Sequence, residues 1–313
     1  MSAQSQGVFS ALLIEPGASA HTFDASSERY EFLAENMAKH GRIVGARGIR
    51  GTRSAPSERT RAGAYYVYGS VTMDISPADF TNLLPHILGA AESSDTFALA
   101  EDTPYFGMLI DRVGDVFEYS DCKVNRAILR GRAPRFNEEG SVDLLNLTLE
   151  IIGTDEDKTT AWPGTPPSLG TDANDAPYVF SDSDGGVTIL SGTREIEDFV
   201  IVVDNHQYAR FVNSLTPDSI CPTDRTVMAR FRVPYNSTNH SALYDQAVAG
   251  STASVVFTNN NMSTTFTFGT LQIPTLSPSV RGKQDVSLYL DGIARTVTTT
   301  KELVVTNDDN DAS

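Results

Sequence analysis

Six arginines fall between positions 42 and 61: Arg42, Arg47, Arg50, Arg53, Arg59 and Arg61. Gly41, Gly45, Gly48, Gly51 and Gly63 interleave them. These six are a quarter of the 24 lysines and arginines in a chain that also carries 40 aspartates and glutamates, for a formal charge of -16. A guanidinium is planar and pairs with a carboxylate through two parallel hydrogen bonds, so dense arginine favours a fixed ionic interface. The chemistry expected of Arg47, Arg50, Arg53, Arg59 and Arg61 is therefore docking on acidic surface of a neighbouring copy. The competing interpretation is a plain solvated loop. A nucleic-acid patch would interleave aromatics or ride on a basic helix, and neither occurs before Tyr65. An acidic chain also repels phosphate over most of its surface. GARGIRG lacks the spacing of a dinucleotide loop, and no clean strand precedes it.

Other residue sets do not converge on catalysis. None of His21, His40, His86, His206 and His240 stands in a metal-binding or zinc-protease spacing. Asp204-Asn205-His206 has the residue types of an acid–base pair, but it ends an apolar strand, where it also makes a good turn. Asp182-Ser183-Asp184-Gly185 resembles part of a calcium loop without the downstream bidentate glutamate. Cys122 and Cys221 are far apart and are expected to be free thiols in a reducing compartment. The expectation is a non-enzymatic protein with no cofactor and no metal.

Around the arginines the pattern is mainly β. Tyr65 to Ile75 alternates, placing Val71, Met73 and Ile75 on one face. Ser76-Pro77-Ala78-Asp79 then starts a helix, with Ser76 as cap and Pro77 at the first helical position. Phe80, Leu83, Leu84, Ile87 and Leu88 form its apolar stripe; Pro85 should kink or shorten it, and Gly89 ends it. Residues 28–37 fit an extended segment or a short helix. Strands are expected over 96–100, 105–110, 116–124, 143–152, 199–204, 226–235, 253–258, 264–273, 284–295 and 302–306. YVFSDSDGGVTILSG, from Tyr178, predicts a hairpin turning at its glycines.

The second half repeats the first. DISPADFTNL, from Asp74, registers on PYNSTNHSAL, from Pro234; FEYSDCKV registers on FTFGTLQI; LNLTLE registers on VSLYLD. TNHSALYDQAVA predicts the second copy of the helix. A tandem duplication follows, with units at 1–154 and 178–313 and a proline-bearing linker at 155–177. Val8 to Ile14 is apolar, but no lysine or arginine precedes Arg29, so it is not read as a signal peptide. No run is long enough to span a membrane as a helix.

GIRGTRS with its following ERTRAG, GSVTMDISPADFTNLLPHILG, YVFSDS, PTDRTVMARFRVPY and KELVVTND together resemble the major tail tube proteins of long-tailed, non-contractile phages. The resemblance covers most of the chain. It implies β-sandwich or barrel-like tube domains, each with one flanking helix, and rings of six such domains. Two domains per chain then imply a homotrimeric, pseudo-hexameric ring. Stacked rings would form a hollow tube around a tape-measure protein, capped by terminator and distal tail proteins. DNA would cross an acidic lumen without specific binding, in a virion assembled in the host cytoplasm. A tube protein of a related injection apparatus, or a β-sandwich adhesion module of the virion surface, are the alternatives.

Overall fold

Alternating apolar and polar residues run through most of the chain, and they form strands. The computed structural model describes residues 10–17, 23, 27–49, 51–54, 56–134, 144–159, 167–169, 175–183, 186–189, 192–235, 243, 249–259, 261–274, 286–297 and 300–309. In chain order these form β1 (Ala11–Pro16), β2 (Glu28–Tyr30), β3 (Ala34–Glu35), β4 (Ala38–Gly45), β5 (Thr60–Asp74), α1 (Pro77–Leu88), β6 (Thr96–Ala98), β7 (Phe106–Asp111), β8 (Val116–Arg132), β9 (Asn146–Gly153) and β10 (Asp155–Thr159). The second half adds β11 (Val187–Ile189), β12 (Gly192–Arg194), β13 (Asp198–Asp204), β14 (Tyr208–Arg210), β15 (Ser219–Cys221), β16 (Thr226–Pro234), β17 (Ser251–Asn259), β18 (Met262–Gln272), β19 (Ser287–Arg295) and β20 (Leu303–Asp308). The protein is thus mainly β, with antiparallel pairing throughout and one helix among the described residues.

The main sheet runs β4, β5, β9, β8, β13, β16, β19, β18, each hydrogen-bonded to the next. β3 pairs with β5 on the same side as β4. The halves meet where β8 pairs with β13, from Arg126↔Asp204 to Arg132↔Asp198. A second layer is built from β1, β7, the first half of β8 and β10, and from β11, β17, β18 and β20. Leu147, Leu149, Ile201, Val203, Phe231 and Leu290 turn inward from the main sheet into one core with Phe80, Leu84 and Ile87 of α1. Burying one such side chain contributes about 1.5–3 kcal/mol.

The two halves share their strand registers. β5 pairs with β9 as Asp74↔Asn146, and β16 with β19 as Pro234↔Ser287. β8 pairs with β9 as Lys123↔Ile152, and β18 with β19 as Gln272↔Ile293. Even an irregularity recurs: β7–β8 shifts between Phe106↔Cys122 and Met108↔Tyr119, and β17–β18 between Ser251↔Leu271 and Ala253↔Phe268. Constant offsets for each strand carry these first-half pairs onto their second-half counterparts.

α1 follows the expected span. The Asp79 amide donates to Ser76 Oγ at 3.1 Å, and the Ser76 amide donates to Asp79 Oδ2 at 3.0 Å, a complete capping box. Pro85 does not stop the helix, which reaches Leu88 before Gly89 adopts φ 100°. Of the second expected helix, residues 238–249, only Leu243 and Ala249 lie among the described residues; Leu243 is helical and buried, and Ala249 is in an exposed turn.

Of the two alternatives for residues 28–37, the extended one holds, with β2 and β3 in it. Three local expectations change. β8 continues past Val124, because a register shift between Val124 and Arg126 reverses the alternation that defines a strand in sequence. Residues 155–159, at the start of the expected linker, form β10 on β8. Phe180–Asp182 is a 3-10 turn, and the hairpin pairs Val187–Ile189 with Gly192–Arg194, so its reversal falls after the glycines.

Candidate functional site

The arginine segment is a hairpin, not a loop throughout. β4 and the start of β5 pair as far as Val44↔Arg61 and Gly45↔Thr60, so Arg42 and Arg61 lie on strands. Ser57–Arg59 is a 3-10 turn leading into β5. The hairpin stands clear of the body: residues 39–45 and 59–62 are exposed on both faces of the ribbon. Sequence reading missed the strands because glycine and arginine break the apolar alternation there. Gly63 lets the two strands approach closely: a Cβ there would lie 2.7 Å from Val44 Cγ2 and 3.2 Å from the Arg42 carbonyl oxygen.

Arg47, Arg53, Arg59 and Arg61 are all exposed, and none has a side-chain partner among the described residues. Arg50 lies outside the described residues. The same hairpin exposes Ile43, Val44 and Ile49, the last of them fully. Exposed guanidinium groups without an ion-pair partner among the described residues, beside exposed aliphatic side chains, are what a docking arm presents.

Asp204-Asn205-His206 is a turn. His206 sits at φ 45°, its amide donates to Asp204 Oδ1 at 3.2 Å, and its carbonyl accepts from Thr223 Oγ1 at 2.8 Å. Asn205 is buried, and its Nδ2 donates to the carbonyls of Ile87 and Val124. Asp182 Oδ2 accepts from the Val179 amide, closing a local turn. Cys122 is fully buried, and burial pushes its thiol well above the ordinary range, so it packs as a small hydrophobe.

Sequence reading passed over two buried polar groups. His86, on α1, is buried beside Phe106, and desolvation lowers its pKa to about 4 against an opposing hydrogen bond to the Pro104 backbone. Lys123 is buried with Nζ 2.6 Å from Asp102 Oδ2 and 4.3 Å from the centre of the Tyr105 ring. Both lie at positions where alternation predicts only inward or outward, without naming a partner.

The open face of the main sheet is charge-balanced rather than acidic. Arg126 lies between Glu150 and Asp204 at 3.7 and 3.6 Å; Arg230 Nη2 is 2.6 Å from Asp291; Arg232 Nε is 2.7 Å from Glu197. The register of β8, β13, β16 and β19 sets these pairs across neighbouring strands.

Among the described residues the geometry is that of a broad sheet with a projecting cationic hairpin. The chain was compared with known proteins. No curated protein matches it. The family model described as "Phage tail tube protein" matches residues 44–298, which takes in the arginine segment from Val44 onward, α1 and the strands from β5 to β19. The chain therefore belongs to the phage tail tube protein family, and its role is that of a structural component of the virion tail that self-assembles into a tube.

Proposed function

We propose that three copies of this chain close a ring, and that rings stack into the hollow tube of a long, non-contractile tail. The observation that carries this is the shared register of the two halves. It supports a tandem duplication, with tube units at 1–154 and 178–313 and a connecting segment at 155–177. Each unit contributes four strands to the main sheet, so each chain supplies two of the six units of a ring. The β8–β13 ladder inside the chain is then a built-in copy of the contact between chains.

The open face of the main sheet lines the lumen in this arrangement. Arg126, Arg230 and Arg232 on that face stand beside carboxylates, so passing DNA meets these guanidinium groups already paired, and the duplex slides without specific binding. The tube forms around a tape-measure protein and is capped by terminator and distal tail proteins, with assembly in the host cytoplasm. The arginine hairpin docks on acidic surface of a neighbouring copy. The role is architectural, with no catalytic step.

Electron cryo-microscopy of tubes, averaged without imposed symmetry, tests the proposal. Three chains per ring with six similar density units are expected. Six chains per ring would overturn the duplication and the ring count together.

A further inference from the structure

The registers equate connections as well as strands. Tyr66 pairs with His40, and its counterpart Thr226 pairs with Asp204; Thr72 pairs with Ala34, and its counterpart Arg232 pairs with Asp198. The arginine segment, residues 41–65, is therefore the counterpart of residues 205–225. Arg126 pairs with Asp204 on one side and Glu150 on the other, and Glu150 pairs with Ser70. Both segments thus leave the main sheet at the same end.

Residues 205–225 form a hairpin too. β14 and β15 pair from Tyr208↔Cys221 to Arg210↔Ser219, in a two-stranded sheet of their own. Tyr105 fixes its base, the hydroxyl accepting from the Ile220 amide at 3.0 Å. The Leu215 carbonyl accepts from the Tyr65 amide at 2.9 Å, which ties the tip to the root of the arginine hairpin. The chemistry of the two hairpins differs. Residues 41–65 hold six arginines and one glutamate; residues 205–225 hold two arginines and two aspartates. In place of the cations, Tyr208, Phe211, Val212 and Leu215 are each between 40% and 49% exposed. Four large apolar side chains open to solvent on one short hairpin mark an interaction surface.

The opposite end of the sheet differs between the halves in the same sense. Glu31, Asp74, Asp79 and Asp175 line one cavity where β5 ends. The counterpart of Asp74 is the exposed Pro234, followed by Tyr235, which is 38% exposed. Head-to-tail stacking sets one end of a copy on the other end of the next. The cationic hairpin then meets carboxylates, and the apolar hairpin meets proline and tyrosine, only in the phase that matches like half to like half.

We propose that residues 208–221 are a second docking arm, apolar where the first is cationic, and that it seats on a second copy of this chain in the next ring. The unlike arms select one of the two stacking phases that a pseudo-six-fold ring offers, because the other phase sets guanidinium groups on an apolar end. This rests on the ring proposed above.

Replacing Phe211, Val212 and Leu215 together with serine should leave a protomer that melts close to the unaltered chain. The protomer concentration at which tubes form should rise about tenfold or more, by the same factor at low and high salt, since an apolar contact is not screened. An unchanged concentration would overturn the arm. Hydroxyl-radical labelling of the unaltered protein decides the matter if the triple variant does not fold: Phe211 and Leu215 should be labelled in the protomer and protected in the tube, and equal labelling in both would overturn the arm. Electron cryo-microscopy of the same tubes should show the hairpin against the next ring and one constant rotation between rings. Contact confined to its own ring would overturn the docking, and a mixture of two rotations one sixth of a turn apart would overturn the phasing. Rings of other than three chains would instead sink the ring proposal, whatever Phe211 and Leu215 show.

Discussion

Asn205 Nδ2 lies 3.0 Å from the carbonyl oxygen of Ile87, in the last turn of α1. At the other end of the same helix, Asn307 Nδ2 lies 3.0 Å from the carbonyl oxygen of Pro77. A helix leaves its last carbonyls without intrahelical donors, and buried ones must find a partner. Asn205 supplies that donor to Ile87, whereas the Pro77 carbonyl belongs to the first turn and takes Asn307 in addition to its intrahelical partners; both asparagines come from the second half of the chain, which thus holds the helix of the first half at each end. Asn307 also reaches Thr81 Oγ1 and accepts from Thr264, whose hydroxyl contacts the Tyr178 hydroxyl at 2.9 Å.

Asn205→Ala should cost about 2 kcal/mol, because it strips donors from two buried carbonyls. Asn307→Ala should cost a similar amount. The two sites sit at opposite ends of a helix about 18 Å long, so their losses should add in the double variant. Denaturant titration measures all three. A double variant no worse than either single one would mean that the pins act as one unit.

His206→Asn should change stability by less than about 0.5 kcal/mol and leave assembly intact. The left-handed φ of 45° suits asparagine, and the turn is held by the His206 amide on Asp204 Oδ1 and the Thr223 hydroxyl on the His206 carbonyl, beside a half-exposed contact of the imidazole Nδ1 with Asp204 Oδ1 at 3.3 Å. Thermal melting and electron microscopy of tubes check this. A folded variant that fails to assemble would give the imidazole a role of its own.

Much of this architecture can be seen in the sequence, and the exceptions share a cause. The strand ending at Ile75, the Ser76 cap and the apolar slots of β9 and β19 are visible because side-chain alternation and capping are local. The second half of β8 is hidden because one bulge near Asn125 swaps its faces. The strands of the arginine hairpin are hidden because both faces are exposed, so no alternation marks them. Lys123–Asp102 and Asn307–Pro77 are contacts between distant segments, and no spacing in the chain encodes a partner. The arginines stand out in sequence by density alone; that they project on a paired ribbon follows only from the ladder between β4 and β5.

Stability should fall with acidity in a window set by His86. Folded, its pKa is lowered to about 4 by burial, against 6.5 for an ordinary histidine. Between those values the unfolded chain binds a proton that the folded chain does not. The histidine therefore costs nothing above pH 6.5, and its penalty grows as pH falls, reaching about 3 kcal/mol near pH 4 and then levelling. His86→Gln should flatten this part of the profile. Melting temperatures from pH 4 to 7 compare the two; parallel profiles would assign the acid sensitivity to other groups.

Ser76→Ala should cost about 1 kcal/mol, since the Asp79 amide loses its acceptor at the buried start of α1. Asp79→Asn should cost less, because the amide oxygen can still accept from the Ser76 amide. Chemical denaturation ranks the two. The reverse order would mean that the carboxylate charge at the helix N-terminus outweighs the hydroxyl cap.

The arginine hairpin should govern polymerisation and not folding. Arg47, Arg53, Arg59 and Arg61 are exposed and form no side-chain hydrogen bond or ion pair among the described residues, so replacing all four with serine breaks no polar contact described in the protomer. Its melting temperature should match that of the unaltered chain. Tube assembly is different, because each guanidinium can form a paired hydrogen bond with a carboxylate of the next copy, and the chain offers 40 such groups. A charge-assisted contact buried at an interface contributes on the order of 1.5–3 kcal/mol, so losing several should shift assembly well beyond a tenfold change in critical concentration. Raising salt should weaken assembly of the unaltered chain in the same direction, more gently, because exposed pairs are screened over about 10 Å at 0.1 M while buried ones resist. Replacing Ile43 and Ile49 with serine separates the two halves of the contact: if the aliphatic variant assembles and the arginine variant does not, the grip is ionic. Normal tubes from the four-arginine variant at every salt concentration would leave the hairpin a solvated projection.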